Sequence, residues 1–474
     1  MTRSFFARGA AAALIGAAIV APPAAQTQTP ADDALIKKAQ GIHERVIALD
    51  THDDINADDF TPERNYTQDL GNQVNLPKML KGGLDASFFI VYVGQDRSEK
   101  AFTKEGFDNA YRQAVEKFDA IHQLTEKIAP DKIELALTAA DVRRIAKSGK
   151  KVALIGVENG YPLGDETTAV ARVKEFYDRG ARYLSLAHNG HSQLADSNTG
   201  EADNVWLHNG LSPLGKQVIA ELNRVGIMVD LSHPSKQANL QAIALSKAPV
   251  IASHSAARAV FDHSRNLDDE QLAAIKKNGG VVQTVAFASY VKVTPPSAER
   301  TAALQKLADE FKVPVTALGR GGRGGGRGRG QADAAGRGQA DPPGAAGAGA
   351  PQRGAQGGRG NNALAALSEE QRAELQKRMD DLNAKFPPPP QATVKDFVDH
   401  VDYLVKKIGI DHVGISSDFD GGGGVDGWRD ASETFNVTVE LVRRGYTEDQ
   451  IGKIWSGNLL RVMDEVQKIA AKTK

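Results

Sequence analysis

Residues 213–233 read PLGKQVIAELNRVGIMVDLSH, in which a stretch with apolar residues three and four apart runs into an apolar β-type segment that ends in a histidine. The first part has the period of an amphipathic helix and the second that of a buried strand. Related endings occur at IALDTHDD (47–54), LIGVENG (154–160), YLSLAHNG (183–190), VIASHS (250–255) and VGISSDFDG (413–421), with HSRN (263–266) beside them. Nearly all deliver an apolar run onto an ionisable residue, which argues for one polar site built at the ends of several strands.

Eight strands are expected, at 46–50, 86–93, 152–158, 183–188, 227–233, 249–254, 281–287 and 412–418. Helical patterns separate them, among them FDNAYRQAVEKFDAIHQL (107–124), AVARVKEFYDRG (169–180) and VKDFVDHVDYLVKKIG (394–409). Eight β/α repeats predict a closed (β/α)8 TIM barrel, whose active site lies at the C-terminal ends of the strands.

Composition limits the chemistry. The chain has 474 residues, 41% of them hydrophobic, enough for one large core. A formal charge of −1 provides no global field toward nucleic acid or an anionic membrane. No cysteine is present, so disulfides, thiolate metal sites and cysteine nucleophiles are excluded.

The N-terminus reads as an export signal over residues 1–25: Arg3 and Arg8 precede an apolar run from Ala10 to Ala21, and small residues follow through Ala25. Roughly a dozen apolar residues are too few to span a bilayer. The expectation is an exported chain, periplasmic or secreted, with no membrane anchor once the signal is cleaved. The barrel then occupies 31–474.

Residues 316–362 are mostly Gly, Ala, Arg, Gln and Pro, and no aromatic residue lies between Phe311 and Phe386. Such a segment cannot bury enough apolar area to offset its ordering entropy, which predicts a disordered Gly/Arg-rich insertion between the seventh and eighth barrel strands. Its Arg-Gly repeats could suggest RNA binding, but stacking aromatics are missing and export removes the partner, so no nucleic acid is expected. After it, Ser368 followed by Gln371 has the capping-box spacing of a helix that runs to about Lys385, before Pro387 to Pro390.

His52 and Asp54 form an H-x-D pair whose side chains share one side of an extended strand. With Glu158, His233 and His254 they make a set of nitrogen and oxygen ligands of the kind zinc and neighbouring metals prefer. Five ligands exceed what one tetrahedral ion with a water needs, so two metals bridged by a carboxylate fit better, and Glu158 is the natural bridge. Two divalent ions (about +4) against two carboxylates (about −2) and a hydroxide leave about +1 to stabilise an oxyanion, which favours hydrolysis. The competing reading makes these histidines hydrogen-bonded core residues.

Taken together, THDD, GVENG, LAHNG, DLSHPS, ASHSAARAV, SRNLDDEQL and SSDFDGG resemble the membrane dipeptidase (renal dipeptidase) metallopeptidases, zinc enzymes on a (β/α)8 barrel. The resemblance covers nearly the whole mature chain, including the closing SGNLLRV. It implies hydrolysis of dipeptides, including those with a D-residue at the C-terminal position, by two Zn2+ ions bridged by Glu158 and a water or hydroxide. His52, Asp54 and Glu158 would hold one ion, and Glu158, His233 and His254 the other. His188 would contact the substrate carbonyl, Arg265 the terminal carboxylate, and Asp418 the free amine, with a proton passed to the leaving nitrogen. A homodimer is also implied.

The roles of Arg265 and Asp418 make independent sense, because a guanidinium fork and a carboxylate at opposite ends of a pocket select a zwitterion of fixed length. Arg265 has a rival reading as a surface partner of Asp268 or Asp269, and Asp418 has a rival in Asp420. The chain departs from the family pattern at Asp53, an added charge expected to tune the ligands or face outward, and at Asn159, where the family commonly has glycine. His191 and Gln193 are expected to vary side-chain specificity. The alternative function is another binuclear metal amidohydrolase acting on cyclic amides, lactams or esters. That class typically shows H-x-H on its first strand and often a bridging lysine. A fold retained for binding alone would be expected to have lost a ligand.

Overall fold

The computed structural model describes residues 30–95, 98, 100–318, 364 and 366–472. Among these, nine strands form one sheet: β1 (Leu49–Asp54), β2 (Ala86–Tyr92), β3 (Ile133–Leu135), β4 (Lys151–Glu158), β5 (Ala181–Ser185), β6 (Met228–Asp230), β7 (Ile251–Ser255), β8 (Val281–Val285) and β9 (Val413–Ser416). All pairings are parallel, in the order β1-β2-β4-β5-β6-β7-β8-β9. The ring closes just past β9, where Asp54 N donates to Phe419 O at 2.9 Å. The eight-stranded (β/α)8 barrel is therefore as expected. The three-residue β3, too short to stand out in the sequence, pairs with the start of β4 below the point where β5 begins.

The opening stretch shows how local chemistry builds a repeat. Ser212 accepts a bond from Gly215 N, Pro213 sits in the first turn, and the helix Pro213–Val225 ends at Gly226, whose φ of +99° suits glycine. Leu214, Val218, Ile219 and Leu222 are buried on one face, each worth about 1.5–3 kcal/mol when fully removed from water. The chain then enters β6.

Inside the barrel, Leu49, Phe88, Ile90, Val152, Leu154, Tyr183, Met228, Ile251 and Val281 form an apolar layer. Leu459, Leu460, Met463 and Val466 of the helix Asn458–Ala471 pack against it. Further along the same strands the residues become polar: Thr51, Glu158, Asp230, Ser253 and Ser255 are all buried. A packed floor thus leaves one end of the barrel for chemistry.

Most strand ends differ from the sequence reading by one to four residues, and two of the differences bear on the ligands. β1 runs to Asp54 with a register shift between Asp50 and Asp53, so His52 and Asp54 lie within the strand. β6 stops at Asp230, so His233 lies in the following loop.

The proposed signal lies outside the described residues, as does most of the predicted insertion. Residues 316–318 are an exception: they belong to the short helix Val315–Leu318, which moves the start of the unusual segment past Leu318. The helix Glu369–Lys385 begins with the expected capping box between Ser368 and Gln371. It joins the helix Ala298–Phe311 in a separate apolar cluster of Leu304, Leu307, Leu375, Met379 and Leu382, against which Leu318 and Leu364 also pack. Among the described residues no helix is long and apolar enough to cross a membrane.

Candidate active site

Three of the candidate ligands, His52, His233 and His254, converge on the buried carboxylate of a fourth, Glu158. Glu158 ends β4, and its Oε1 lies 2.8 Å from His233 Nε2, 3.3 Å from His254 Nε2 and 3.6 Å from His52 Nε2. His188, three residues beyond β5, approaches the same oxygen at 3.7 Å. Asp54 Oδ2 stands 4.0 Å from His52 Nε2. Three sets offer atoms within 4.8 Å of one another: His52–Glu158–His254, Glu158–His188–His233 and His52–Asp54–Asp418. Glu158 belongs to two of them, which suits a shared ligand.

The surrounding bonds prepare the imidazoles for a cation. The Tyr183 hydroxyl donates to Thr51 O at 3.0 Å and lies 2.8 Å from His52 Nδ1, so in the neutral ring that nitrogen carries the proton and Nε2 is left bare. Ser253 Oγ donates to Asp230 Oδ2 at 2.7 Å and lies 2.8 Å from His254 Nδ1, with the same consequence. His52 Nε2 is buried without a hydrogen-bond partner, and the Nε2 atoms of His233 and His254 face each other at 2.9 Å. The Nε2 lone pairs that the neutral His52 and His254 rings turn toward a carboxylate oxygen fit a divalent cation, while His233 Nε2, 2.8 Å from Glu158 Oε1, stands at hydrogen-bond distance from the same oxygen.

Charge balance agrees. Burial would raise the Glu158 carboxyl, but His188, His52 and His233 more than offset it and hold the group well below the usual range. Burial disfavours a proton on His52, yet Glu158, Asp54 and Asp418 pull its pKa up to about 10, so without a cation Nε2 holds a proton whose place a metal would take. Burial keeps His233 and His254 well below the usual imidazole range. The cluster carries an excess of negative charge that a metal would neutralise.

The structure separates Asp418 from Asp420. Both have φ near +59°, so the chain is not extended there and the two carboxylates part. Asp420 accepts from Gln73 N at 2.8 Å and Val74 N at 3.2 Å, which ties it to a neighbouring loop. Asp418 groups with His52 and Asp54, and a Cβ on Gly421 would collide with the Asp418 Oδ1 and Asp54 Oδ2 atoms. Strand alternation, which would turn both aspartates the same way, ends at Ser416.

Arg265 is 4% exposed; its Nη2 donates to His254 O at 3.2 Å, and its Cζ lies 5.5 Å from the centre of the Tyr290 ring. Its Nε has no hydrogen-bond partner. Asp268 pairs with Lys236 and Asp269 with Lys407, so neither makes the surface pair. Asp53 is buried, accepting from Ser87 and Ser417 hydroxyls; burial and then Asp50 push its carboxyl well above the usual range. It supports the closure between β1 and β9 and does not face outward.

His191 and Gln193 are tied by hydrogen bonds into the loops around the site. His191 accepts from Ser197 N and donates to Val205 O, fixing its own loop. Gln193 donates to the carbonyls of Gly160 and Gly164, fastening the loops after β4 and β5 together. Asn159 has φ +73°, the conformation in which glycine is at ease, and it is anchored by a bond from Nδ2 to Val93 O at 2.9 Å.

Sequence reasoning overlooked Tyr183, Ser253 and Asp230, which orient ligands, and Tyr290, which lies under Arg265. Asp230 and Ser253 carried a faint signal, as polar residues inside otherwise apolar strands.

Known proteins share this architecture. The chain is 32% identical to the probable dipeptidase PvdM from Pseudomonas aeruginosa, with a TM-score of 0.69 over 92% of this chain and 99% of that one. It is 28% identical over 442 residues to dipeptidase tcpJ of Claviceps purpurea (strain 20.1), covering 93% of this chain and 79% of the relative. A metallo peptidase from Rhodobacter sphaeroides, solved with a phosphinate mimic of the dipeptide L-Ala-D-Ala, has a TM-score of 0.59 at 20% identity over 89% and 99% of the two chains, a likeness of fold. The model of the membrane dipeptidase family (peptidase family M19) matches residues 36–474, and the chain belongs to that family.

Proposed function

We propose that this protein is an exported zinc-dependent dipeptidase that holds two ions, with His52, Asp54 and Glu158 around one and Glu158, His233 and His254 around the other. The observation that carries the reading is the set of Nε2 atoms around Glu158, with the bare Nε2 of His52 and His254 fixed by tautomer. When bound, such ions supply Lewis acidity and a water acidified enough to act as nucleophile near neutral pH.

The chain's own residues supply the rest. Arg265, buried with Nε unmatched, receives the substrate's terminal carboxylate in a bidentate grip. Asp418 receives the ammonium group at the other end, takes at its carboxylate the proton that the attacking water gives up, and passes it to the leaving nitrogen as the C–N bond breaks. His188 steadies the oxyanion developing on the scissile carbonyl. The two charged ends would exclude longer peptides.

The test is a hydrolysis screen of L,L and L,D dipeptides against tripeptides and N-acetylated dipeptides, with and without chelator. Equal activity on N-acetylated substrates would remove Asp418 from its role, and activity that survives thorough metal removal would sink the mechanism. Arg265→Ala should weaken free-carboxylate dipeptides much more than their amides. Elemental analysis should find two zinc ions per chain, and the exported protein should begin near residue 26.

A further inference from the structure

His400 is fully buried on the inner face of the helix Val394–Ile408, among Phe397, Val401 and Leu404. An imidazole in such surroundings needs both nitrogens satisfied. Here each reaches a different catalytic-face loop. Ala257 N donates to Nδ1 at 3.1 Å, and Nε2–H donates to Val291 O at 2.9 Å, which fixes one neutral tautomer.

The two loops are the ones that hold Arg265. After β7, Ala257 bridges in parallel to Leu267: Leu267 N donates to Ala256 O and Arg258 N to Leu267 O, both at 2.9 Å. Arg265 lies two residues before Leu267. After β8, Val291 adjoins Tyr290, the ring beneath the guanidinium. A second bond joins the same loops, from Asn266 Nδ2 to Tyr290 O at 2.8 Å. His400 thus touches neither substrate site nor metal ligands, yet it clasps the two walls between which the guanidinium lies.

We infer that His400 is a positioning residue that sets the spacing between Arg265 and Tyr290, and through it the affinity for a substrate's free carboxylate. The inference rests on the dipeptidase reading and adds to it a determinant of specificity outside the pocket.

The test compares wild type with His400→Leu, His400→Asn and His400→Gln. Asparagine offers an acceptor near the place of Nδ1, and glutamine a donor near the place of Nε2, so each preserves one bond. Values of kcat and KM are measured for a dipeptide and for its C-terminal amide, per metal-loaded site.

His400→Leu should raise KM for the dipeptide about tenfold with kcat within about threefold, because a small displacement of a binding group weakens the grip before the chemistry. The amide, which lacks the carboxylate, should keep its wild-type kcat/KM. The asparagine and glutamine variants should fall between, and they carry the comparison alone if the leucine variant does not fold.

Equal losses on dipeptide and amide, or a fall in kcat with KM unchanged, would overturn the assignment and leave His400 a packing residue. If Arg265→Ala also fails to separate the dipeptide from its amide, the carboxylate anchor itself is wrong, and the inference falls with it. Discrimination by Arg265→Ala but not by the His400 variants would reject the inference alone.

Discussion

His52 Nδ1–H donates to the Tyr183 hydroxyl oxygen across 2.8 Å, and that hydroxyl in turn donates to Thr51 O. A residue deep in the barrel wall thereby decides which nitrogen of a candidate ligand is bare. Tyr183→Phe keeps the ring and deletes only the hydroxyl. Zinc affinity should fall about 10–100-fold with the fold preserved, as is usual when a ligand's orienting partner is removed. Competition against a fluorescent chelator measures this, and an unchanged affinity would show that the ring needs no such anchor.

Gly421 lies where any Cβ would strike the Asp418 and Asp54 carboxylates. In Gly421→Ala one or both must move. Activity should drop by about a hundredfold or more, the scale on which an ångström of misplacement acts. The melting temperature of the metal-free protein should change little by comparison. A variant with near-normal turnover would mean that the two carboxylates can shift without harm.

His43 predicts part of the acid sensitivity of the fold. Burial lowers its pKa below 6.5, partly countered by its bond to Gly82 O. Below pH 6.5 the unfolded chain therefore binds a proton that the folded chain refuses, and stability falls as pH drops through that point. The maximum slope is about 1.4 kcal/mol per pH unit. Denaturant unfolding between pH 8 and pH 5 should show a shallower decline for His43→Gln than for wild type. Parallel curves would rule out this histidine as a contributor.

Leu318 and Leu364 pack against one satellite cluster, at either end of the segment between them. Replacing residues 319–363 by a Gly-Ser linker of about eight residues should leave melting temperature and dipeptide turnover within about twofold, since loop length costs stability only logarithmically. Loss of turnover with folding intact would assign that segment a part in catalysis.

The barrel was legible because period and punctuation agreed: each helical pattern, such as 213–225, was followed by an apolar run of strand length. The ligands were legible because a histidine at the end of such a run has little reason to be there. Three features escaped for physical reasons. His233 and Asp418 sit past the ends of their strands in left-handed conformations, so alternation could not tell where they point. Tyr183 looked like any large residue of a buried strand, since its role depends on a hydroxyl meeting a residue more than a hundred positions away. The bonds of His191 and Gln193 were not legible either, since they run to backbone carbonyls, of its own loop for His191 and of the loop after β4 for Gln193.

Asn159, His233 and Asp418 hold φ of +73°, +84° and +59°, a conformation that costs a residue with a Cβ about 1–2 kcal/mol more than glycine. Exchange for glycine would relieve that cost at His233 and Asp418 but would remove the side chains the site needs there, so selection for heat tolerance that ignores turnover would act against the enzyme. Any programme to harden this protein should therefore hold these positions constant and take its stability from the helices instead.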